Sequence, residues 1–474
     1  VILHGDCLEV LRTLPAASVH ACITSPPYWG LRNYKTAPVL WGGDPACVHD
    51  FPVDVDTCDA CGAWLGHLGL EPTPELFIAH MVDIFREVRR VLRDDGTLWL
   101  NIGDCYAGVA AAAAAGVKTT LEGSVEGQDQ SRLARGSQKR AGLHESARQA
   151  GAVGRAWTPA GIKEKDLVVI PWMLAFALRA DGWYLRAENI WAKGISFCDT
   201  YAGSVMPESV TDRPTRGHEQ VFLLAKSPRY FYDQFAVKER GVYPAGTLAA
   251  KGSGQREGNR RGSRKKDLRE AEGERRQTGR FQDRWDKSHH KMAAREDGNH
   301  PWDGYAMYDG TRNLRTVWAI GVQPFAEAHF ATFPPDLVHP CIAAGTSAHG
   351  VCAACGAPYA RVVEQEDVPD DVKQQFEAAR SQTAEDHGRG DGFTTRRPNY
   401  QRKTRGERWQ RTCACETTDV VPATVLDPFS GAGTTGVECA RMQRTYLGIE
   451  LNADYIALAE RRIAAVAPLF GETA

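Results

Sequence analysis

The stretch Thr424-Val425-Leu426-Asp427-Pro428-Phe429-Ser430-Gly431-Ala432-Gly433-Thr434-Thr435 decides the fold class. Its first four residues read as a short buried strand, its glycines as a tight turn, and the residues from about Thr435 to Met442 as a helix. Such a strand, turn and helix N-terminus form a ligand site, because glycine lets the backbone approach closely and the free amides of the first helical turn face outward. The next strand, Thr445–Ile449, ends in Glu450, and a helix over Asn452–Val466 follows at once. An acidic side chain at the end of that second strand, about 20 residues after the turn, suits the paired hydrogen bonds of a ribose diol. No Gly-Lys-Ser/Thr follows the glycines, so a triphosphate loop is excluded. The alternative is a tightly packed turn in an ordinary doubly wound domain, with Glu450 a surface charge.

Outward from this stretch the same alternation recurs. Val19–Thr24 reads as a buried strand that Ser25-Pro26-Pro27 must end. Phe77, Met81, Ile84, Val88, Val91 and Leu92 have the spacing of an amphipathic helix over Pro74–Leu92, closed by Asp94-Asp95-Gly96. A strand over Thr97–Ile102, a helix near Pro171–Ala180 and strands near Tyr184–Trp191 and Val221–Ala225 complete the pattern. Strands alternating with helices predict a mostly parallel sheet covered on both faces, an α/β doubly wound architecture.

Thr24-Ser25-Pro26-Pro27-Tyr28-Trp29 carries the chemistry. Proline fixes φ and supplies no N–H, so the tetrapeptide Ser25–Tyr28 is a rigid turn with outward carbonyls and an aromatic ring. An exocyclic amine of a nucleobase is a poor nucleophile while it is conjugated with its ring. The Ser25 hydroxyl and the Pro26 carbonyl together can accept both of its N–H bonds and direct the lone pair as the nitrogen pyramidalises. Tyr28 offers a stacking face to a base that has left the duplex. Standing alone, the tetrapeptide would more readily be a proline-rich surface turn.

The tetrapeptide, the Phe429–Gly433 loop and Gly5-Asp6 together resemble the β-class of amino DNA methyltransferases, in which the catalytic motif precedes the cofactor motif. The resemblance spans most of the chain and includes Trp191-Ala192-Lys193, Met206–Val210 and His329–Pro335. It implies a circularly permuted Rossmann-like methyltransferase sheet and S-adenosylmethionine as cofactor. By position in the motifs it assigns cofactor contacts to Asp6, Asp427, Phe429, Ser430, Gly431, Gly433, Thr434 and Glu450, and catalysis to Ser25, Pro26, Pro27 and Tyr28. Within the family Ser-Pro-Pro-Tyr is typical of N4-cytosine enzymes, whereas Asp or Asn in first place is typical of N6-adenine enzymes. The expected activity is therefore methylation of cytosine N4 in double-stranded DNA by base flipping and direct displacement, with N6-adenine methylation the alternative. A non-catalytic zinc and DNA-binding protein on the same shell is a further one. Asp104 has two readings, a place near the site or a helix cap.

Pro340-Cys341 and Glu188-Asn189 superficially resemble the nucleophile and base-holding motifs of cytosine-C5 methyltransferases. Those enzymes place the cofactor loop first, and the reversed order here argues against them.

Cys47, His49, Cys58 and Cys61 lie within 15 residues, and Cys58-Asp59-Ala60-Cys61-Gly62 has the form of a zinc knuckle. Cys352 and Cys355 form a second Cys-x-x-Cys-Gly, able to join Cys413 and Cys415 across a charged segment. Each cluster offers four ligands and no open position, so two structural Zn2+ ions are expected, against the alternative of unpaired reduced thiols.

With 57 Lys+Arg against 59 Asp+Glu the net charge is −2, so any nucleic-acid contact must be local. Lys251–His300 holds 15 Lys/Arg and 9 Asp/Glu with interleaved aromatics, either a solvated loop or a phosphate-contacting region. No apolar run approaches the roughly 18 residues of a membrane span. The sequence opens without the features of an export signal, and its 13 cysteines are odd in number, so reduced thiols and a cytoplasmic setting in a bacterial or phage-infected cell are expected. The expected organisation is a catalytic-motif half over 1–106 with a metal-binding insertion over 44–70, then a flexible insertion over 107–166. A continuation over 167–240, a basic target-recognition region over 241–316, and a cofactor half over 317–474 with a second metal-binding insertion over 349–416 complete it. Double-stranded DNA is the expected partner, and a cognate restriction endonuclease the expected biological counterpart.

Overall fold

A computed structural model describes residues 1–30, 38–51, 56–107, 162–201, 203–205, 208, 210–240, 311–323, 333–365 and 404–466. Residues 108–161 of the expected insertion, the Lys251–His300 region and parts of the Met206–Val210 and His329–Pro335 motifs lie outside the described residues.

Eight strands form one sheet: β1 (Ile2–His4), β2 (Val19–Thr24), β3 (Leu92–Ile102), β4 (Tyr184–Ala192), β5 (His218–Ala225), β6 (Val317–Ala319), β7 (Thr424–Asp427) and β8 (Thr445–Glu450). Their spatial order is β1-β8-β7-β2-β3-β5-β4-β6. All neighbours run parallel except β5, which is antiparallel to β3 and β4. Among the described residues the helices are α1 (Cys7–Thr13), α2 (Pro74–Val91), α3 (Ile170–Ala180), α4 (Pro335–Gly345), α5 (Thr434–Arg441) and α6 (Ala453–Val466). The strand carrying the glycine loop, β7, thus sits centrally although it comes late in the chain, the circular permutation that the motif order implies.

Alternate residues of each strand face opposite layers. Leu98, Leu100 and Ile102 of β3 pack with Phe77, Met81, Ile84 and Val88 of α2 and Leu174 and Leu178 of α3. Trp99, with Ile23 and Val425, faces the other layer, where Leu337, Val338, Cys341 and Ile342 of α4 and Cys439 of α5 lie. From β7 the chain moves through α5 to β8 on one side, and from β2 through α2 to β3 on the other. The carboxyl ends of β7 and β2 therefore border the point where the winding reverses, the usual crevice of an open α/β sheet.

One local expectation is corrected. Asp94-Asp95-Gly96 does not separate helix from strand, because β3 begins at Leu92; the ladder instead pairs Val19 with Leu92 and Ala21 with Thr97, leaving Arg93–Gly96 as an irregularity. Arg93 fills it with a salt bridge to Asp95 at 3.0 Å.

Two compact units are distinguished: Val1–Val237 with Asn313–Val362 and Trp409–Ala474, and Lys238–Arg312 with Val363–Arg408. Among the described residues of the second, Glu239–Arg240 pairs antiparallel with Thr311–Arg312. No helix among the described residues is long and apolar enough to cross a membrane.

Candidate active site

The residues after β7 and those after β2 meet through one buried carboxylate. Asp427 closes β7 and is completely buried. Its Oδ1 accepts from the Thr24 hydroxyl at 2.6 Å and the Phe429 amide at 3.1 Å, and its Oδ2 from the Thr435 hydroxyl at 2.9 Å. Burial pushes its pKa up to about 6 against those three hydrogen bonds. Thr24 immediately precedes Ser25, so a single side chain ties the Ser-Pro-Pro-Tyr turn to the glycine loop and to the start of α5. Asp427 braces the site from beneath, with both oxygens already engaged by the protein.

The glycine loop is shaped by two left-handed residues, Gly431 at φ +50° and Gly433 at φ +73°. At Gly433 a Cβ would come within 2.6 Å of the Ala459 Cβ on α6, so both the φ and the close approach require glycine. The Ser430 amide donates to the Ile449 carbonyl at 2.9 Å, and the buried Ser430 hydroxyl accepts from Tyr446 at 2.8 Å. Thr434, also buried, opens α5. Glu450 receives the Gly431 amide at 2.8 Å on one oxygen and the Asn452 amide at 2.9 Å on the other. Burial raises its pKa, offset in part by these amides. The acidic residue expected at the second strand end therefore faces the loop directly.

Asp6 reaches the same end of the sheet, since β1 pairs His4 with Glu450. Its Oδ1 caps α1, accepting from the amides of Leu8 at 3.0 Å and Glu9 at 3.1 Å, and burial raises its pKa. Asp104 proves to be a cap: its Oδ1 accepts from the Ile170 amide at the start of α3, and its Oδ2 lies 3.3 Å from Arg216.

In the Ser25–Tyr28 turn Pro26 is buried while Ser25, Pro27 and Tyr28 are half-buried. The Tyr28 ring lies flush against Gly103, where a Cβ would approach Cε2 to 2.5 Å. Its hydroxyl donates to Glu219 Oε2 at 2.7 Å, stands 3.1 Å from Asn101 Oδ1, and receives the Ser25 hydroxyl at 3.4 Å. Glu219 is in turn paired with Lys193 and receives the Asn101 amide at 3.2 Å. Neither Glu219 nor Asn101 stood out in the sequence; they lie on the neighbouring antiparallel strands β5 and β3, where Asn101 faces Val221, and only that register brings both side chains to Tyr28. Lys193, quoted there only as part of a motif, gains its role from the same contact.

Cys341 cannot serve as a thiolate nucleophile. It is 1% exposed within α4, its thiol donates to the Leu337 carbonyl at 3.3 Å, and burial drives its pKa well up. Asn189 donates to the Val221 carbonyl at 3.0 Å and belongs to the sheet.

Both cysteine clusters assemble. The ligand atoms of Cys47, His49, Cys58 and Cys61, and those of Cys352, Cys355, Cys413 and Cys415, lie within 4.8 Å of one another in each group. The amides of Cys355 and Ala354 pull the Cys352 thiol down to about 6, the arrangement of a knuckle whose backbone turns toward sulfur.

The chain matches the family model described as DNA methylase over residues 19–353 and 419–461. It is 31% identical to the type II methyltransferase M.Cfr9I of Citrobacter freundii, covering 98% of this chain and 87% of that one. It is 28% identical to M.SmaI of Serratia marcescens, covering 98% and 90%. Among solved structures it aligns with PvuII DNA methyltransferase (cytosine-N4-specific), at a TM-score of 0.42 and 11% identity over 99% of this chain and 91% of that one. The chain belongs to the N6/N4 DNA methylase family.

Proposed function

We propose that this methyltransferase uses S-adenosylmethionine to methylate the exocyclic N4 amine of cytosine in double-stranded DNA. The observation that supports it most is the junction through Asp427, which joins a Ser-Pro-Pro-Tyr turn to a glycine loop faced by Glu450. Phe429, Ser430, Gly431, Gly433 and Thr434 form the loop, Glu450 suits the ribose hydroxyls, and Asp6 suits the adenine side. Bound there, S-adenosylmethionine supplies an electrophilic methyl group for direct displacement.

The chain's own residues prepare the nucleophile. The target base leaves the duplex and rests against Tyr28, whose hydroxyl Glu219 holds fixed. Ser25 and the Pro26 carbonyl accept hydrogen bonds from the amine and orient its lone pair, Pro27 keeps the turn rigid, and the methylated nitrogen then loses one proton to water. No covalent enzyme intermediate is required, in keeping with the inert Cys341. Ser25 at the head of the turn favours cytosine over adenine. A restriction endonuclease of the same specificity is the biological counterpart we infer from the type II relatives.

The test is incubation with S-adenosylmethionine and unmethylated duplex DNA, digestion to nucleosides and mass spectrometry. N4-methylcytosine is expected. N6-methyladenine would overturn the choice of base, and neither product together with no cofactor binding would overturn the enzymatic reading.

A further inference from the structure

The two cysteine clusters sit at opposite ends of the sheet. Cys355 and Gly356 of the second are clamped to strand beginnings: Arg93 donates to the Cys355 carbonyl at 2.6 Å, and His20 binds the Gly356 carbonyl at 3.0 Å while accepting from the Thr424 amide at 3.0 Å. His20 and Thr24 are four residues apart on β2, so this clamp is about 13 Å along the strand from the catalytic end.

The first cluster leads to the catalytic turn itself. Val39–Trp41 pairs antiparallel with Trp64–Gly66, Trp41 directly opposite Trp64. Cys47 and His49 follow the first strand and Cys58 and Cys61 precede the second, so the four ligands close the open end of this ladder. The Cys58 amide donates to the Ala63 carbonyl at 2.7 Å, next to Trp64. The indoles of Trp41 and Trp64 both stack on His80 of α2, with ring centroids at 4.9 and 5.6 Å, and all three side chains are buried. His80 Nδ1 meets Glu71 Oε1 at 3.0 Å, and Glu71 Oε2 accepts from the Gly69 amide at 2.8 Å. From there two bonds reach the residues that follow Tyr28: Trp29 Nε1 donates to the Glu71 carbonyl at 3.0 Å, and the Gly30 amide to the Gly69 carbonyl at 2.8 Å. Gly69 holds φ +91°, and a Cβ there would lie 3.1 Å from the Tyr28 carbonyl and 3.3 Å from Pro27.

We infer that Cys47, His49, Cys58 and Cys61 bind a structural zinc ion whose task is to brace the Ser25–Tyr28 turn, through Trp41, Trp64, His80, Glu71 and Gly69. The ligand spacing fits: Cys47 and Cys58 sulfurs are 3.9 Å apart, and Cys61 sulfur is 3.3 Å from His49 Nδ1. The edge of a tetrahedron with Zn–S near 2.3 Å is about 3.8 Å, whereas a disulfide would hold its sulfurs at about 2.05 Å. The second cluster also holds zinc but braces strand beginnings, so the two ions have separable effects. The inference rests on the methyltransferase reading only for what the turn does; the metal and the brace are read independently of turnover.

The experiment uses the full chain and three readouts: zinc by elemental analysis, hydrogen exchange at the Gly30 amide, and kcat with cofactor Kd. Wild type should hold two equivalents. Cys61→Ser should hold one, exchange Gly30 at least tenfold faster, and lose at least tenfold in kcat with Kd changed less than threefold. Cys61→His, which restores a ligand, should recover both zinc and the slow amide. Cys413→Ser should lose the other equivalent and leave the Gly30 amide slow. Should Cys61→Ser not fold, His80→Phe must keep both equivalents and show the same fast amide and reduced kcat. Two equivalents in Cys61→Ser would overturn the metal site. Loss of zinc with an unchanged Gly30 amide, or a slow amide in His80→Phe, would overturn the brace.

Discussion

Replacing Asp427 by Asn should remove a pH dependence of stability that this one carboxyl creates. In the folded chain its pKa is about 6, against 3.8 for an ordinary aspartate, because burial outweighs three hydrogen bonds to the ionised form. The folded state thus binds this proton more readily than the unfolded state. The stability it contributes is fully present below pH 3.8 and is lost as pH rises through about 6. The whole shift corresponds to on the order of 3 kcal/mol, of which roughly 2 kcal/mol falls between pH 4.5 and 7. Asn mimics the protonated form. Its Oδ1 still accepts from Thr24 and Phe429, and its Nδ2 donates to Thr435, whose hydroxyl proton can turn to the Ile23 carbonyl 3.4 Å away. Urea unfolding of both proteins from pH 4.5 to 8 reads the effect. The difference between them cancels everything else that titrates, the clustered cysteines included, and should move by roughly 2 kcal/mol in favour of the variant as pH rises to 7. A difference that stays constant with pH, or moves the other way, would refute the reasoning.

Gly433→Ala should cost about 2–5 kcal/mol, combining a left-handed alanine with a contact far inside van der Waals distance, and should weaken cofactor binding; urea denaturation and calorimetric titration measure the two. Glu219→Gln should lower kcat by about 10 to 100-fold with cofactor Kd unchanged within twofold, because it loosens Tyr28 and the Lys193 pair without touching the loop; equal losses in kcat and cofactor affinity would count against that division.

Much of the site was legible because its chemistry is local. A proline turn after an apolar strand, and glycines between a strand and a helix, announce themselves within a dozen residues. The helix over Pro74–Val91 followed from its periodicity, and the strands β2 and β7 from short apolar runs ended by turn residues. By contrast α4 was not legible, because Pro340 in its interior argues against a helix that tertiary packing of Leu337, Val338, Cys341 and Ile342 nonetheless supports. The short β1 and β6 offer three residues each, too few for any pattern. Asp427 was legible as part of a motif but not as a brace, since its partners Thr24 and Thr435 are named only by folding.

The sequence by itself determined the alternation of strands and helices and the residue types of both cysteine clusters, encoded by spacing along the chain, while the permuted order of the two motifs followed from the family resemblance they carry. Tertiary structure alone decided what those residues face. Glu219 reaches Tyr28 and pairs with Lys193, His80 reaches Trp41 and Trp64, and Asp104 caps a helix. Each of these depends on contacts between segments far apart in sequence, where periodicity carries no information and only sheet register and burial choose the partner.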